Sequence, residues 1–365
     1  MKKVVGQTYP CRRRSPFMHL PRHLSQHDRA AQLPLVTEDA RVTLVEPMDR
    51  NRNNEVLSAV RDQVAAVGDR SWVAAARDGS TIRWPALLDR VRDAGASQRR
   101  LARIETLAER FDRPYPSLLR LRVKPDVDLD FAPGQYVTLR LHDTPRAYSL
   151  SNSPSEDELE FCIRLVPGGK LTSGLFERVD VGEAVVVRGP NGDMVLDPPS
   201  SRDMVFLATG TGVAPFKSML DYTLEQGRDV VEGDPRDIWL FLGCGWEDDL
   251  PHRAHFRRLD AQYDHFHFVP TLTREPLLTD WEGATDYVQS VFVSHVAREA
   301  LAGADLPPRF DSVRDQPPQS GVDARIDPTN VELYACGISA MVSTLVRAAR
   351  SVGVPDSEMQ YEGFG

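Results

Sequence analysis

Only four cysteines occur in 365 residues, Cys11, Cys162, Cys244 and Cys336, and neither a CxxC pair nor dense spacing joins them. That excludes a disulfide framework and an iron–sulfur cluster held by ferredoxin-type cysteine runs, and it makes a reducing cytoplasm the expected location. Lysine is nearly as scarce, at five residues, and acids outnumber bases to give a formal net charge of -9. Surfaces that hold nucleic acid need a strong positive field, so nucleic acid is not an expected partner. No apolar run approaches the roughly 18 residues that cross a membrane, and no membrane span is expected. No ligand spacing calls for a metal. What is present is a chain 41% hydrophobic, with material for two or three domain cores.

The composition changes along the chain. Residues 1–34 carry Arg12, Arg13, Arg14, Arg22 and Arg29 against the single acid Asp28, which is expected to be a loose, disordered leader. In residues 35–100, "NNEVLSAVRDQVAAVGD" and "IRWPALLDRVRDAG" have apolar residues at helical spacing, so a small helical region of unassigned role is expected. From 101 to 199, "RIETLAE", "LLRLRV", "QYVTLRL", "ELEFCIRLV" and "EAVVVRGP" are short strand-like runs broken by Pro, Gly and Asp, the pattern of an antiparallel β-barrel. From 200 to 365, "MVFLAT", "IWLFLG", "HFVPTL" and "VELYACG" alternate with helical segments, which argues a parallel α/β sheet. A Pro-rich stretch at 306–330 is expected to be a disordered excursion.

Four short segments carry chemistry. In "RAYSLSNSP", Arg146 and Tyr148 alternate with Ala147 and Ser149, so an extended strand puts the cation and the ring on one face. An arginine fork suits phosphate oxygens and a tyrosine ring suits a flat heterocycle. Taken alone, a strand-end arginine and a half-buried tyrosine are the plainer reading. "GGKLTSGLF" (168–176) describes a glycine turn entering a helix N-terminus, a place for a diphosphate. "FLATGTGVAPFKSML" ends a buried strand in Gly210, Thr211 and Gly212 before Pro215 opens a helix, as GxGxxP rather than GxGxxG. "LYACGISAM" places Cys336 at another strand end, where a buried structural thiol is the ordinary alternative.

In order and spacing these segments resemble the ferredoxin–NADP reductase family of flavoproteins. The resemblance implies an FAD-binding barrel followed by a nicotinamide-nucleotide domain. It gives Arg146 to the FAD diphosphate, Tyr148 to the isoalloxazine face and Ser149 to its reactive nitrogen, with Ala147 between them. It matches Gly169, Lys170, Leu171 and Thr172 to a diphosphate turn, and Gly210, Thr211, Gly212 and Pro215 to the nicotinamide loop. Cys336, Gly337 and Met341 then fall beside the nicotinamide, and the ending Tyr361, Glu362, Gly363 and Phe364 matches the family's aromatic-acidic terminus. Tyr148, Ser149, Cys336 and Glu362 are the groups the resemblance places nearest the reaction. Ile338 stands where the family usually has proline.

The implied activity passes electrons from NAD(P)H through FAD to a one-electron acceptor such as a separate ferredoxin or an oxygenase component. For the nucleotide, Glu247, Asp248 and Asp249 favour the free ribose hydroxyl of NADH, Asp248 being the residue assigned to it, and Ala284 stands where NADP-using relatives of the family often carry arginine; Arg274 points to NADPH, and NADH is the nucleotide expected. The alternative function is a flavin-bearing docking subunit of a larger complex, with the helical region as its interface.

Overall fold

The computed structural model describes residues 26–364, apart from 69–70, 76, 79–80, 114–115, 142–143, 167–168, 170–178, 315 and 323. Strands that alternate a buried and a wet face need a sheet curled around its apolar row. Six of them do so here: β1 (Val36–Pro47), β2 (Leu118–Pro125), β3 (Tyr136–Leu141), β4 (Thr144–Ser149), β5 (Leu159–Arg164) and β6 (Ala184–Asn191). They run antiparallel in the order β4-β3-β6-β1-β2-β5. Leu119, Leu121 and Val123 of β2 point inward onto Val137, Leu139 and Phe161. The end strands approach each other where the rings of Tyr148 and Phe161 lie 6.3 Å apart, so the barrel is nearly closed.

Several sequence expectations need correcting at this end of the chain. Within the supposed leader, Gln26–Gln32 is a helix, α1, docked through His27 to Asp197 at 2.7 Å. Residues 35–100 are not all helical, because β1 is a barrel strand paired with β2 and β6. The chain leaves the barrel after β1, makes α2 (Asn53–Ala65), α3 (Trp84–Asp93) and α4 (Gln98–Phe111), and returns at β2. "RIETLAE", expected as a strand, lies inside α4, where Leu101, Ile104 and Leu107 make a buried helical stripe. Packing of that stripe against Val60, Val64, Leu87 and Val91 outweighs the strand preference of Ile104 and Thr106.

The second sheet is parallel, in the order β9-β8-β7-β10-β11: β7 (Asp203–Thr209), β8 (Ile238–Cys244), β9 (Phe266–Leu272), β10 (Val331–Ile338) and β11 (Met359–Phe364). Met204 to Ala208 are all fully buried because helices cover both faces. On one side lie α5 (Ala214–Glu225) and α6 (Arg253–Gln262); on the other lie α7 (Val288–His295) and α8 (Ser339–Val352). The Pro-rich stretch is also corrected. Leu306, Phe310, Val313 and Ile326 are spaced widely but all bury in the core beneath α7 and α8.

Two buried histidines tie stability to pH. Burial pushes His252 down to about 3 and His295 down to about 4 from 6.5. A folded pKa below the unfolded one means that unfolding takes up protons as the pH falls, so this stability is whole above 6.5 and is lost on the way down to 3. The melting temperature is therefore expected to fall steadily as the buffer is taken from neutral toward about pH 4. A melting temperature flat across that range contradicts neutral burial of both rings.

Candidate active site

A cleft of about 590 Å³ opens at the C-terminal ends of β7, β8 and β9, the edge where open parallel sheets hold their ligands. Its floor is the end of β7. Beyond Thr209 the chain makes a single tight turn, Gly210–Val213, and enters α5 with Pro215 in its first turn. Gly210 adopts φ +52, a conformation side chains rarely take, and faces open space apart from Arg164, whose guanidinium is 3.9 Å from the position a Cβ would occupy. Gly212 lies behind, so close to the Cys336 carbonyl that a Cβ would collide with it. Thr209 Oγ1 accepts from Ile338 N at 3.0 Å, locking the Gly210–Gly212 turn to the end of β10.

Cys336 and Glu362 are register partners on the neighbouring strands β10 and β11. Burial, and then the charge of Glu362, push the Cys336 thiol up to about 12, so it stays protonated and is no nucleophile. Burial likewise raises Glu362, with Asp193 adding to the shift, which makes it a carboxyl able to hold a proton at higher pH than usual. Glu362 Oε1 lies 3.8 Å from the Cβ position of Gly192, a barrel residue. The two sheets therefore meet where Cys336 and Glu362 sit.

On the barrel, β4 presents Arg146 exposed and Tyr148 half-buried on one face, in register with Leu139 and Val137 of β3. Burial raises the Tyr148 phenol to about 12, against the opposing pull of Arg146, so the ring is a neutral stacking surface. Ser149 pairs with Tyr136, at the end nearer Gly192. This edge fits a flat heterocycle with a phosphate beyond it. Gly169 is hydrogen-bonded to the Val166 carbonyl at 2.8 Å, while Lys170, Leu171 and Thr172 lie outside the described residues.

The other expected residues divide. Gly210, Thr211, Arg274, Met341 and Phe364 line the cleft, whereas Gly212, Pro215 and Cys336 are buried behind its wall. Asp248 does not line the cleft. Its carboxylate turns into an ion-pair cluster, 3.4 Å from Arg50, 3.7 Å from Arg52 and 3.9 Å from Arg110. Burial nonetheless raises it to about 6, against the pull of Arg52, Arg110 and Arg50. Residues that the sequence reading missed are Arg113, Arg164, Tyr287 and Arg309, all on the cleft wall. Arg164 ends a recognised strand and had a signal; Arg113 follows a helix read as a strand and had none.

Charge in the cleft is uneven. Arg110 and Arg164 each stand 3.5 Å from Asp249. Arg113, Arg274 and Arg309 line the cleft with no carboxylate partner among the described residues. Uncompensated guanidinium groups around a glycine turn suit a phosphorylated ligand.

The family model for the oxidoreductase NAD-binding domain matches residues 206–347, and that for the oxidoreductase FAD-binding domain matches residues 116–196. The reductase component DmpP of phenol 2-monooxygenase from Pseudomonas sp. is 34% identical over 183 residues, covering 49% of this chain and 50% of that protein. The electron transfer component XylA of xylene/toluene monooxygenase from Pseudomonas putida is 30% identical over 230 residues, covering 61% of this chain and 64% of that protein. The chain thus spans between half and two thirds of the length of these relatives. Among solved structures, Amycolatopsis cytochrome P450 reductase GcoB superposes with a TM-score of 0.59 at 22% identity, over 91% of this chain and 71% of that one. A ferredoxin NADP+ reductase from Neisseria gonorrhoeae superposes with a TM-score of 0.52 at 19% identity, over 68% of this chain and 92% of that one. Among the described residues no helix is long and apolar enough to cross a membrane.

Proposed function

Because the chain belongs to the ferredoxin–NADP reductase superfamily and carries its FAD- and NAD-binding domains, we propose that it oxidises NAD(P)H and hands the electrons singly, through FAD, to a separate ferredoxin or oxygenase component. When bound, FAD supplies the exchange between a two-electron donor and a one-electron acceptor. The residues of the chain supply position. Tyr148 offers a ring face and Arg146 a phosphate fork, while Gly210 and Thr211 leave room for backbone to approach a nucleotide. The observation that carries this reading is the junction itself. Glu362 faces Gly192 of the barrel, its register partner is Cys336, and Phe364 of the same strand lines the cleft, so ligands on the two sheets meet there.

The acids that favoured NADH all have cationic partners, and of the three only Asp249 lines the cleft. Glu247 pairs with Arg50 and Arg253, each at 2.6 Å, Asp248 with the insertion, and Asp249 with Arg110 and Arg164. Arg274 and Arg309 are left facing the cleft, which favours the extra phosphate of NADPH. The helical insertion, which the docking-subunit alternative takes as its interface, uses one face to bury Trp246 and Leu278 of the nucleotide domain in its core. The chain loaded with FAD should reduce ferricyanide or cytochrome c on its own with NADPH as donor. Turnover that appears only on adding an oxygenase complex contradicts the reading.

A further inference from the structure

The insertion α2–α4 grips the two loops that frame the cleft. From the loop after β8 its core takes Trp246, whose ring meets Phe111 edge-on at 5.5 Å; from the loop after β9 it takes Leu278. Beside that apolar contact Arg52, with 1% of its side chain exposed, forks onto Glu275: Nη1 donates to Oε2 at 2.9 Å and Nη2 to Oε1 at 2.5 Å. Glu275 Oε2 also accepts from Glu247 N at 2.8 Å, so one carboxylate joins both loops to the insertion. Its neighbour Arg274 lines the cleft, next to Gly245, whose Cβ position is 3.6 Å from the arginine's Cδ.

The end of α4 then reaches the cleft directly. Arg110 is held by Asp49 at 3.2 Å and Ser117 at 3.1 Å, and its buried Nε has no partner among the described residues. Arg113 donates from Nε to the Glu109 carbonyl at 3.0 Å, which leaves the rest of its fork on a wall where Arg274 and Arg309 also have no carboxylate partner among the described residues.

We propose that the insertion is part of the nucleotide site: Arg113 binds a phosphate of the nicotinamide nucleotide, and the Arg52–Glu275 pair positions Arg274 for the same ligand. This rests on the nucleotide reading above. A guanidinium without a carboxylate partner is free for bidentate contact with phosphate oxygens, and a fully buried bidentate pair next to Arg274 fixes the loop before the ligand arrives.

The test uses the full chain loaded with FAD and the non-reducing probes NADP+ and NAD+, with dissociation constants measured by calorimetry. Arg113→Ala should weaken binding of at least one probe about tenfold while FAD content is unchanged, and Arg113→Lys should recover part of the loss. Loss confined to NADP+ supports contact with the ribose phosphate; loss with both probes supports contact with the diphosphate. Unchanged constants for both overturn the Arg113 assignment. Glu275→Gln keeps the side chain's shape and should raise the KM for NADPH more than it lowers kcat. A lower melting temperature with an unchanged KM overturns the positioning role. A wild-type chain that binds neither probe overturns the functional reading itself, whereas binding by wild type with no effect in either variant overturns this inference alone.

Discussion

Glu160→Ala is expected to cost roughly 3–5 kcal/mol, because it removes the one fully buried carboxylate shared by Arg120, Arg122 and Lys217 where the barrel meets α5. Glu160 is fully buried on β5. Its Oε2 accepts from Arg120 Nε at 2.8 Å, Arg120 Nη2 at 2.6 Å and Arg122 Nε at 2.7 Å, and its Oε1 lies 3.5 Å from Lys217 Nζ. Burial alone would raise its pKa, yet the surrounding cations, Lys217 foremost, hold it well below the usual carboxylate range. Removing it strands Lys217 in the interior, where that ammonium is left with Asp221 and the Ser151 carbonyl, each at 3.0 Å. For a chain of this size the loss corresponds to a melting temperature lower by roughly 10 °C. A thermal melt within about 1 °C of wild type contradicts an ion cluster at the domain junction. Because its folded pKa is depressed, the contribution of Glu160 is present above its ordinary value of 4.5 and is lost as acid approaches the folded value.

Gly212→Ala should act on function more than on stability. The added methyl meets the Cys336 carbonyl, which is backbone and cannot swing away, so the Gly210–Gly212 turn and the end of β10 must separate. A displacement of about 1 Å between reacting groups is enough for a loss on the order of a hundredfold. Reduction by NADPH is therefore expected to fall at least that far, while FAD content and reduction by dithionite stay at wild-type levels. Equal losses with NADPH and with dithionite would place the damage in the barrel and not in the turn.

How much of this was legible in the sequence follows from where each signal lives. The parallel sheet was readable because β7, β8 and β10 are apolar runs buried on both faces, with Gly210 directly after β7 and Gly337 one residue before the end of β10. The barrel was readable from β2 onward, but β1 fully buries only Ala40 and Val42, and Glu38, Asp39, Arg41 and Glu46 interrupt its apolar residues, so its strand signal was confined to the short run Val42–Val45. Its partners lie about 80 and 150 residues away in sequence, and no local pattern reports a pairing of that kind. Asp248 shows the same limit at the site. The acid run could be seen, but its engagement by Arg50 and Arg52 depends on an insertion almost 200 residues earlier. Cys336 and Glu362 were each recognisable from their motifs, while their facing register appears only when β10 and β11 pair.

The most direct measurement is the absorbance spectrum of the purified chain incubated with FAD, followed anaerobically as NADPH and then, in a separate sample, NADH is added. Bound flavin bands that bleach with either nucleotide, and at lower concentration with NADPH, are the predicted result. A chain that remains colourless after removal of free FAD, or flavin bands that neither nucleotide bleaches, would contradict electron transfer across the junction of Gly192, Cys336 and Glu362.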